Sequence, residues 1–546
     1  MKIVVPMSGT GERFSRAGHR TLKPLIEVEG KPMVAHVIEL FPGETDFLFI
    51  CNRAHLADPA IRLQETLERF CPTGRVVGID PHKLGPVHAV AQVAKLLDPG
   101  QPVVVNYCDF ACYWDWSHFR RWVSEAAPDG AIPAYRGFHP HSLGPGTYAY
   151  LREQGGQVLD IQEKQPFTDC PMEEPASSGT YYFARGELVT RYFADALRSE
   201  PSVRGEHYVS QVYRPMLRAG LRVGCYDLQH FMQWGTPEDL SDYRRWSDAF
   251  RALARPRPRA AHAGAVIVPA AGEGDRFARA GYRVHKPLIE VSGRPMIAQA
   301  VADLPEAPNR VFIVRGDTAA GRHLESRLLE DFPGSRVIAV PGPTAGQATT
   351  TLAALPQVEA GLPLTIGACD MGAVYEPAAL EGLLAAGGAD VIVWTTRSHA
   401  GALRTPGQYG WVELDSGRVV ACAVKRAPER PSASAVITGA FTFRRGSDFG
   451  RVARRLLERD GRVNGELYID SCLEDALALG LDCRALELDH YLGWGTPDDL
   501  KTFEYWQSCF HKWAAHPYRL ERDARVGPGA VARLERRYAA RLPSRL

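Results

Sequence analysis

The chain has 546 residues, more than one hydrophobic core usually supports, so we expect at least two domains. Its hydrophobic content of 45% and charged content of 23% are ordinary for a globular protein, and its 51 Gly and 40 Pro indicate many turns but not disorder. The net charge of +1 excludes a global field that would steer the protein toward nucleic acid or an anionic membrane.

Cysteine usage and the apolar pattern indicate the cellular setting. The 11 cysteines form no Cys-x-x-Cys pair, which disfavours both a zinc site and a disulfide framework. The opening apolar run, Met1–Pro6, is too short for a signal-peptide core, and no run approaches the roughly 18 apolar residues of a transmembrane helix. We therefore expect a cytoplasmic protein with neither a membrane nor a nucleic acid as partner.

One long segment occurs twice in the chain. Residues 3–38 read IVVPMSGTGERFSRAGHRTLKPLIEVEGKPMVAHVI, and residues 266–301 read VIVPAAGEGDRFARAGYRVHKPLIEVSGRPMIAQAV. Later landmarks keep nearly the same separation, including a Cys-Asp pair at 108–109 and 369–370 and a Trp-Gly-Thr-Pro segment at 234–237 and 494–497. A period this long corresponds to a complete domain rather than to a solenoid unit.

The repeat defines the expected domain bounds. We predict a first domain over residues 1–250, a Pro- and Arg-rich linker over 251–263, a second domain over 264–515 and a basic tail over 516–546. In each copy, short apolar strands alternate with helical stretches. The strands are expected at 3–6, 47–51, 103–106, 311–314, 364–366 and 391–395, and helices at 87–97 and 349–355. This alternation predicts α/β domains with a mostly parallel, doubly wound sheet and a ligand at the carboxyl ends of the strands.

A Gly-x-Gly-x-Arg turn follows the first strand of each copy, and a Lys-Pro-Leu segment follows at a fixed gap. Glycines at this point let backbone N–H groups approach phosphate oxygens, and Arg and Lys add positive charge for a triphosphate. The pattern is neither a Gly-Lys-Ser/Thr P-loop nor the Gly-x-Gly-x-x-Gly of dinucleotide folds. The predicted triphosphate-binding residues are Gly9, Thr10, Gly11, Arg13 and Lys23, with Gly272, Glu273, Gly274, Arg276 and Lys286.

These motifs resemble the sugar-phosphate nucleotidyltransferase superfamily, which includes glucose-1-phosphate thymidylyltransferase, and within it the capsule-cluster members. The resemblance covers residues 1–245 and 264–505 and implies two tandem Rossmann-like nucleotidyltransferase domains. It implies transfer of a nucleotidyl group from an NTP to a sugar phosphate, with release of pyrophosphate, for capsule or other surface polysaccharide synthesis. The catalytic residues it implies are Arg13, Lys23, Asp109, Lys164, Arg276, Lys286, Asp370 and Lys425.

An aspartate follows a buried strand in each copy, Asp109 in the first and Asp370 in the second. The resemblance implies that both bind Mg²⁺, which favours one or two carboxylates together with phosphate oxygens. A helix N-cap is the alternative role for these residues. The family's second aspartate, just before a late Gly-Thr, is absent or displaced here, where the two segments read FMQWGT and YLGWGT.

The resemblance assigns the nucleobase to a short loop before a helix, which reads LGPVH in the first copy and AGQAT in the second. Gly85, Gly346 and Gln347 are therefore expected to bind the nucleotide. The Gln347 side chain can both donate to and accept from a pyrimidine edge, and the first loop lacks such a group. Different nucleotide preferences for the two copies follow as a hypothesis.

An acceptor site is also implied by the resemblance. Glu163-Lys164 looks like the family's pair in which Glu holds a sugar hydroxyl and Lys the sugar phosphate, whereas the second copy has Val424-Lys425. The second copy instead has the family's Tyr-Gly-x-Val strand, which the first copy lacks. The acceptor-binding residues are then Glu163, Gly179, Glu206, Gly410, Gly439 and Glu466.

Several alternatives stay open from the sequence alone. Glu206 and Glu466 are equally consistent with carboxylates at a helix start. The chain as a whole is also consistent with a cytidylyltransferase acting on a non-sugar phosphomonoester, or with one active copy and one binding or scaffold copy. A glycosyltransferase is disfavoured because neither copy has the Asp-x-Asp that such enzymes use. The sequence names neither the NTP nor the acceptor, and it leaves homo-oligomerisation open.

Overall fold

The computed structural model describes residues 1–144, 148–385, 387–397 and 399–539, apart from the side chains of residues 528, 538 and 539. The chain divides into two compact units. The first contains Met1–Arg244, Lys512–His516 and the described residues from Glu535 onward, and the second contains Arg245–His511 and Pro517–Leu534. The last seven residues of the predicted basic tail, 540–546, lie outside the described residues.

The first unit is an α/β structure. Its strands are β1 (Lys2–Met7), β2 (Glu27–Val28), β3 (Lys31–Pro32), β4 (Phe47–Asn52), β5 (Arg75–Ile79), β6 (Val103–Asn106), β7 (Phe110–Tyr113), β8 (Gly130–Tyr135), β9 (Ala149–Gln154), β10 (Gln157–Glu163), β11 (Ala176–Ser177), β12 (Thr180–Phe183), β13 (Val223–Leu228) and β14 (His230–Gln233). Its helices are α1 (Glu12–Arg16), α2 (Met33–Glu39), α3 (Arg53–Ala57), α4 (Leu63–Phe70), α5 (Pro86–Val93), α6 (Trp116–Ala126), α7 (Gly186–Ser199), α8 (Val209–Arg218) and α9 (Pro237–Leu253).

A ten-stranded sheet lies at the centre of the first unit, in the order β11-β9-β10-β13-β8-β12-β6-β1-β4-β5. Strands β5, β4, β1 and β6 are parallel, and β12 joins them antiparallel through β6. In this register Ile3 pairs with Phe47 on one side and with Val104 on the other. The carboxyl ends of β1 and β6 therefore meet at one edge, where a doubly wound sheet places its ligand.

Helices cover both faces of this sheet, which explains the continuous apolar strands. Val4 and Val105 point into a core shared with α5, α7 and α8, while Ile3, Val5 and Val104 point into a second core with α2, α4 and α6. All five side chains are fully buried. The apolar side chains on both faces of these strands are therefore covered, and the loops after the strands remain at the edge of the sheet.

The second unit repeats this architecture. Its strands are β15 (Ala265–Pro269), β16 (Glu290–Val291), β17 (Arg294–Pro295), β18 (Asn309–Arg315), β19 (Arg336–Val340), β20 (Leu364–Ile366), β21 (Met371–Val374), β22 (Val391–Thr396), β23 (Gly410–Asp415), β24 (Arg418–Val424), β25 (Ala435–Phe443), β26 (Cys483–Glu487) and β27 (His490–Gly493). The helices that follow α9 are α10 (Asp275–Arg279), α11 (Met296–Asp303), α12 (Ala319–Asp331), α13 (Gln347–Leu352), α14 (Pro377–Leu384), α15 (Ala400–Arg404), α16 (Gly446–Glu458), α17 (Cys472–Ala478), α18 (Pro497–Lys512) and α19 (Val531–Ala539).

The nine-stranded sheet of the second unit has the order β19-β18-β15-β20-β25-β22-β26-β24-β23. It matches the first sheet strand for strand, with the single long β25 in the place of β11 and β12. The predicted α/β class is confirmed, and each strand predicted from the sequence is present with bounds within two residues. Within the part of the chain that the structure describes, every helix is too short or too polar to cross a bilayer.

Two segments that the sequence indicated as linker and tail carry specific contacts within the second unit. In the Pro- and Arg-rich segment, Ala260 is buried and His262 N donates to Glu306 O at 3.0 Å. After α18, Tyr518 is buried and its hydroxyl donates to Asp523 at 2.9 Å. Both segments are therefore packed parts of the structure as far as residue 534.

Candidate active sites

The Gly-rich turn ends in a left-handed glycine in each unit. Gly11 has φ 69° and Gly274 has φ 74°, and each caps the short helix that follows. A Cβ on Gly274 would lie 2.9 Å from Cβ of Lys286, so both the backbone conformation and the neighbouring lysine require glycine. The next turn buries one aromatic residue, Phe14 or Phe277, and leaves the arginine before it, Arg13 or Arg276, exposed at the mouth of the loop.

The lysine of each Lys-Pro segment contacts the aspartate predicted as a metal ligand. Lys23 Nζ donates to Asp109 Oδ2 at 2.6 Å and to Gly235 O at 3.0 Å, although Lys23 and Asp109 are 86 residues apart in sequence. In the second unit Lys286 Nζ donates to Asp370 Oδ2 at 2.5 Å. Burial lowers the pKa of Lys23, but the charge and hydrogen bond of Asp109 together with Cys108 outweigh burial and raise it overall, so the lysine stays protonated.

Each aspartate lies in the short connection between a strand of the large sheet and a strand of a separate two-stranded sheet. Asp109 directly precedes β7, and Trp234 N donates to its backbone oxygen at 2.9 Å. The alternative role as a helix N-cap is wrong, because a strand and not a helix follows. For Asp370, burial raises the pKa, but the Lys286 ammonium outweighs burial and lowers it, so this carboxylate is ionised.

A second, partly buried acid accompanies each aspartate. Thr236 Oγ1 donates to Asp239 Oδ2 at 2.7 Å, and Thr496 makes the same bond to Asp499 at 2.7 Å. Burial raises the pKa of Asp239, and the charge of Asp109 adds to the rise. The sequence analysis missed Asp239 and Asp499. Their signal was a Thr-x-x-Asp capping box at the start of a helix.

The donor chemistry fits a magnesium ion that is bound through one carboxylate per unit. The side chain of Asp109 keeps 24% of its surface exposed and that of Asp370 keeps 25%, so both are accessible beside a charged lysine. Mg²⁺ usually takes one or two protein carboxylates and completes its shell with phosphate oxygens and water. Asp109 and Asp370 are therefore the residues that could hold it.

The two loops assigned to the nucleobase pack against the Gly-Glu segments. A Cβ on Gly85 would lie 2.6 Å from His207 O, and one on Gly346 would lie 2.5 Å from Leu467 N. Both glycines are thus explained by close backbone packing, which holds the loop at the mouth of the site. Gln347 is exposed as the first residue of α13. Its contact with a base stays a prediction.

The acceptor residues of the first unit gather at the start of α8. Lys164, with φ 59°, donates from Nζ to Tyr208 OH at 2.5 Å, and Tyr208 OH donates to Glu206 Oε2 at 2.5 Å. Glu163 Oε2 accepts from Ser210 Oγ at 2.6 Å. Burial raises the pKa of Glu163 and lowers that of Lys164. Tyr208 is a member of this group that the sequence analysis missed.

The second unit keeps the lysine but surrounds it differently. Lys425, with φ 52°, donates to Gln408 O at 2.6 Å and lies 5.2 Å from the ring centre of Tyr468. Glu466 is exposed, whereas Asp470 is desolvated beside Lys425. Burial raises the pKa of Asp470, and Lys425 acts in the opposite direction. Asp470 was not found from the sequence, because its counterpart in the first copy is a serine.

The remaining predicted glycines line the same edge. Gly179 and Gly439 are left-handed, at φ 94° and 92°, and Gly179 O accepts from Tyr107 N at 3.0 Å, two residues before Asp109. Gly410 begins β23. The arginines connect the two sides of each site, because the charge of Arg13 acts on both Lys23 and Lys164, in addition to their burial. Arg276 acts in the same way on Lys286 and Lys425.

Comparison with known proteins agrees with this geometry. Residues 266–441 match the family model of the MobA-like NTP transferase domain. The chain is 28% identical over 226 residues to the bifunctional protein GlmU of Paraburkholderia phytofirmans, and 28% identical over 228 residues to that of Burkholderia ambifaria. Each alignment covers 41% of this chain and 46% of the relative. The chain thus spans about half the length of these curated relatives. The chain is similar to an NTP transferase domain over part of its length.

The comparison with solved structures gives two further proteins that resemble part of this chain. One is a nucleoside-diphosphate-sugar pyrophosphorylase of Vibrio cholerae RC9, at 21% identity and a TM-score of 0.36, covering 44% of this chain and 98% of that one. Another is the inositol-1-phosphate CTP transferase of T. maritima, at 18% identity and a TM-score of 0.35, covering 46% of this chain and 97% of that one.

Proposed function

We propose that each unit transfers a nucleotidyl group from an NTP to a phosphorylated acceptor, a sugar phosphate first among them, and releases pyrophosphate. The observation that carries this proposal is the partly buried lysine–aspartate pair at the carboxyl edge of each sheet, Lys23 with Asp109 and Lys286 with Asp370. In both units an exposed arginine on the Gly-rich loop and a second lysine complete the set. This is a site for binding and neutralising phosphates.

The reaction needs no general base, because the attacking group is an acceptor phosphate oxygen that is already an anion. Catalysis then consists of positioning and charge neutralisation. In the first unit, Arg13 and Lys23 would neutralise the triphosphate, while Lys164 would hold the acceptor phosphate. The charge of Arg13 lowers the pKa of both lysines, in addition to the larger effect of their burial, and this closeness supports the arrangement.

Mg²⁺ is the metal we propose for both units, with Asp109 and Asp370 as its protein ligands. When bound, it would neutralise negative charge on the reacting phosphates. The chain's own contribution is to keep the carboxylate ionised, which Lys286 does for Asp370. Asp239 and Asp499 stay hydrogen-bonded to their capping threonines and make the electrostatic potential nearby more negative.

A role in capsule or other surface polysaccharide synthesis, in the cytoplasm, is the biological setting that we propose. The two units share the phosphate-binding set and differ on the acceptor side, which supports two products rather than one. A non-catalytic second unit is disfavoured, because that unit retains Arg276, Lys286, Asp370 and Lys425 and keeps the contact between Lys286 and Asp370.

The decisive experiment is a pyrophosphate-release screen with the full chain, each common NTP and a panel of sugar 1-phosphates and other phosphomonoesters. We expect release only when Mg²⁺ and one of the phosphorylated acceptors are both present. Pyrophosphate release without an acceptor, release without a metal, or transfer from a nucleotide sugar to a hydroxyl would each contradict the proposal.

A further inference from the structure

The acceptor side of the first unit contains one contact between a strand end and a helix start. Glu163 closes β10, and Ser210 is the second residue of α8. Ser210 Oγ donates to Glu163 Oε2 at 2.6 Å, so these positions face each other across the site although they are 47 residues apart. A side chain at either of these two positions therefore contacts the side chain at the other.

In the second unit the acidic residue is at the helix-side position instead of the strand-side position. The matched positions are Val424, at the end of β24, and Asp470, just before α17. The match is fixed by neighbours that both units share, Lys164 with Lys425 on the strand side and a Gly-Glu-x-Tyr segment on the helix side. Val424 is buried and apolar, so the strand offers no hydrogen-bonding group at this point.

A third difference makes room for the displaced carboxylate. Gly410 begins β23 at the position that Ala149 occupies at the start of β9. A Cβ on Gly410 would overlap Oδ2 of Asp470, so the carboxylate occupies the space that the alanine methyl group fills in the first unit. The exchanges at 163/424, 210/470 and 149/410 are consequently one coordinated change.

We infer that Asp470 is the acceptor-binding carboxylate of the second unit and that it determines which hydroxyl-bearing phosphomonoester this unit accepts. The inference rests on the proposed function. Asp470 has Lys425 beside it, so the unit keeps one carboxylate for a hydroxyl and one ammonium for a phosphate. The carboxylate now comes from the opposite wall on a shorter side chain, so it meets a hydroxyl at a different position on the acceptor.

This assignment corrects the impression that the second copy has lost its acceptor carboxylate. A buried carboxylate and a buried lysine are present in both units, and only their positions in the sequence differ. A carboxylate that is kept desolvated carries an energetic cost, which is offset when a ligand donates a hydrogen bond to it.

The test uses the full chain with Asp109→Asn as background, which leaves the second unit to act alone. An acceptor found in the screen is then titrated with Asp470→Asn, a substitution of almost the same shape. We expect the acceptor KM to rise about tenfold or more, because a charged hydrogen-bond partner is lost, while the KM for the NTP stays at the parent value. Gly410→Ala, which displaces the carboxylate without removing it, is expected to raise the acceptor KM as well.

A rescue variant separates acceptor binding from a structural role. The triple exchange Val424→Glu, Asp470→Ser and Gly410→Ala gives the second unit the acceptor wall of the first, and we expect its acceptor preference to move toward that of the first unit. An unchanged acceptor KM in Asp470→Asn overturns the inference. A parallel rise in both KM values with a lowered Tm and no rescue also overturns it. No turnover with any acceptor in the Asp109→Asn background overturns the proposed function of this unit, and the inference with it.

Discussion

The two units agree closely at the proposed triphosphate site and differ at the proposed acceptor site. The lysine–aspartate distance is 2.6 Å in the first unit and 2.5 Å in the second, and the loop glycines differ in φ by only a few degrees. On the acceptor side, Glu163 faces Ser210 in one unit, while Val424 and Asp470 occupy these positions in the other. Every NTP presents the same three phosphates, so the same residues can bind them in both units. Acceptors differ from one another in structure, and the residues proposed to bind them differ between the two units.

The largest effect is expected where the units agree. Asp109→Asn and Asp370→Asn each remove a charge that organises the reacting phosphates, and each should lower the rate of its own unit by about 10²–10³. The measurement is pyrophosphate release with the acceptor preferred by each unit. If each single variant behaved like the parent with every acceptor, the metal assignment would be wrong.

A second prediction uses a packing difference between the two Gly-rich loops. A Cβ on Gly274 would lie 2.9 Å from the Lys286 side chain, whereas on Gly11 it would lie 3.7 Å from Lys23. Both substitutions to Ala cost about 1–2 kcal/mol for left-handed backbone, but only Gly274→Ala also displaces the lysine. We expect Gly274→Ala to raise the NTP KM of its unit several-fold more than Gly11→Ala.

Equal KM changes in the two glycine variants would show that the loop tolerates the added methyl group. The stability part of the effect is checked separately by urea unfolding, in which both variants should lose a similar free energy of unfolding.

The smallest effects concern pH, and they separate the two halves of the second unit. The pKa of Asp470 is raised, mainly by burial. The contribution of Asp470 to stability is therefore complete below pH 3.8, the ordinary pKa of the group, and is lost as the pH rises through the pKa of the folded state. Asp470→Asn should therefore raise Tm at neutral pH by about 2 °C and leave it unchanged in acid.

Asp370 should show the opposite sign. Burial raises its pKa, but the charge and hydrogen bond of Lys286 outweigh burial and lower it. The stabilising contribution of Asp370 is therefore present above pH 3.8, the ordinary pKa of the group, and is lost as the pH falls through the pKa of the folded state. Asp370→Asn should lower Tm at neutral pH and have no effect in acid. Thermal melts of both variants from pH 3 to pH 8 test the pair, and shifts of the same sign would contradict the assigned electrostatics.

Much of the phosphate side could be predicted from the sequence because its residues are local and repeated. The Gly-x-Gly-x-Arg turn needs a left-handed glycine, and the strand before each aspartate is a plain apolar run, so both can be recognised without a structure. The strands were found for the same reason. The α/β class followed from their alternation with helices.

The acceptor side could not be predicted in the same way. The role of Asp470 depends on a contact between positions that are 47 residues apart in the first unit, and no local pattern reports it. A comparison of single positions showed only that the second copy lacks Glu163. Asp239 was missed for another reason, since a capping residue at a helix start looks structural until its proximity to Asp109 is known.

The glycine at position 410 also constrains the order in which substitutions can change the acceptor residues of one unit into those of the other. An aspartate at 210 in the first unit would meet the methyl group of Ala149, since the equivalent carboxylate fills that space in the second unit. Ser210→Asp alone should therefore lower Tm, and Ala149→Gly should restore only part of it when added, because the new carboxylate would still face Glu163. The change is epistatic: the neutral loss of a methyl group has to come before the gain of the charge, and a domain copy that takes these steps in reverse passes through a destabilised intermediate.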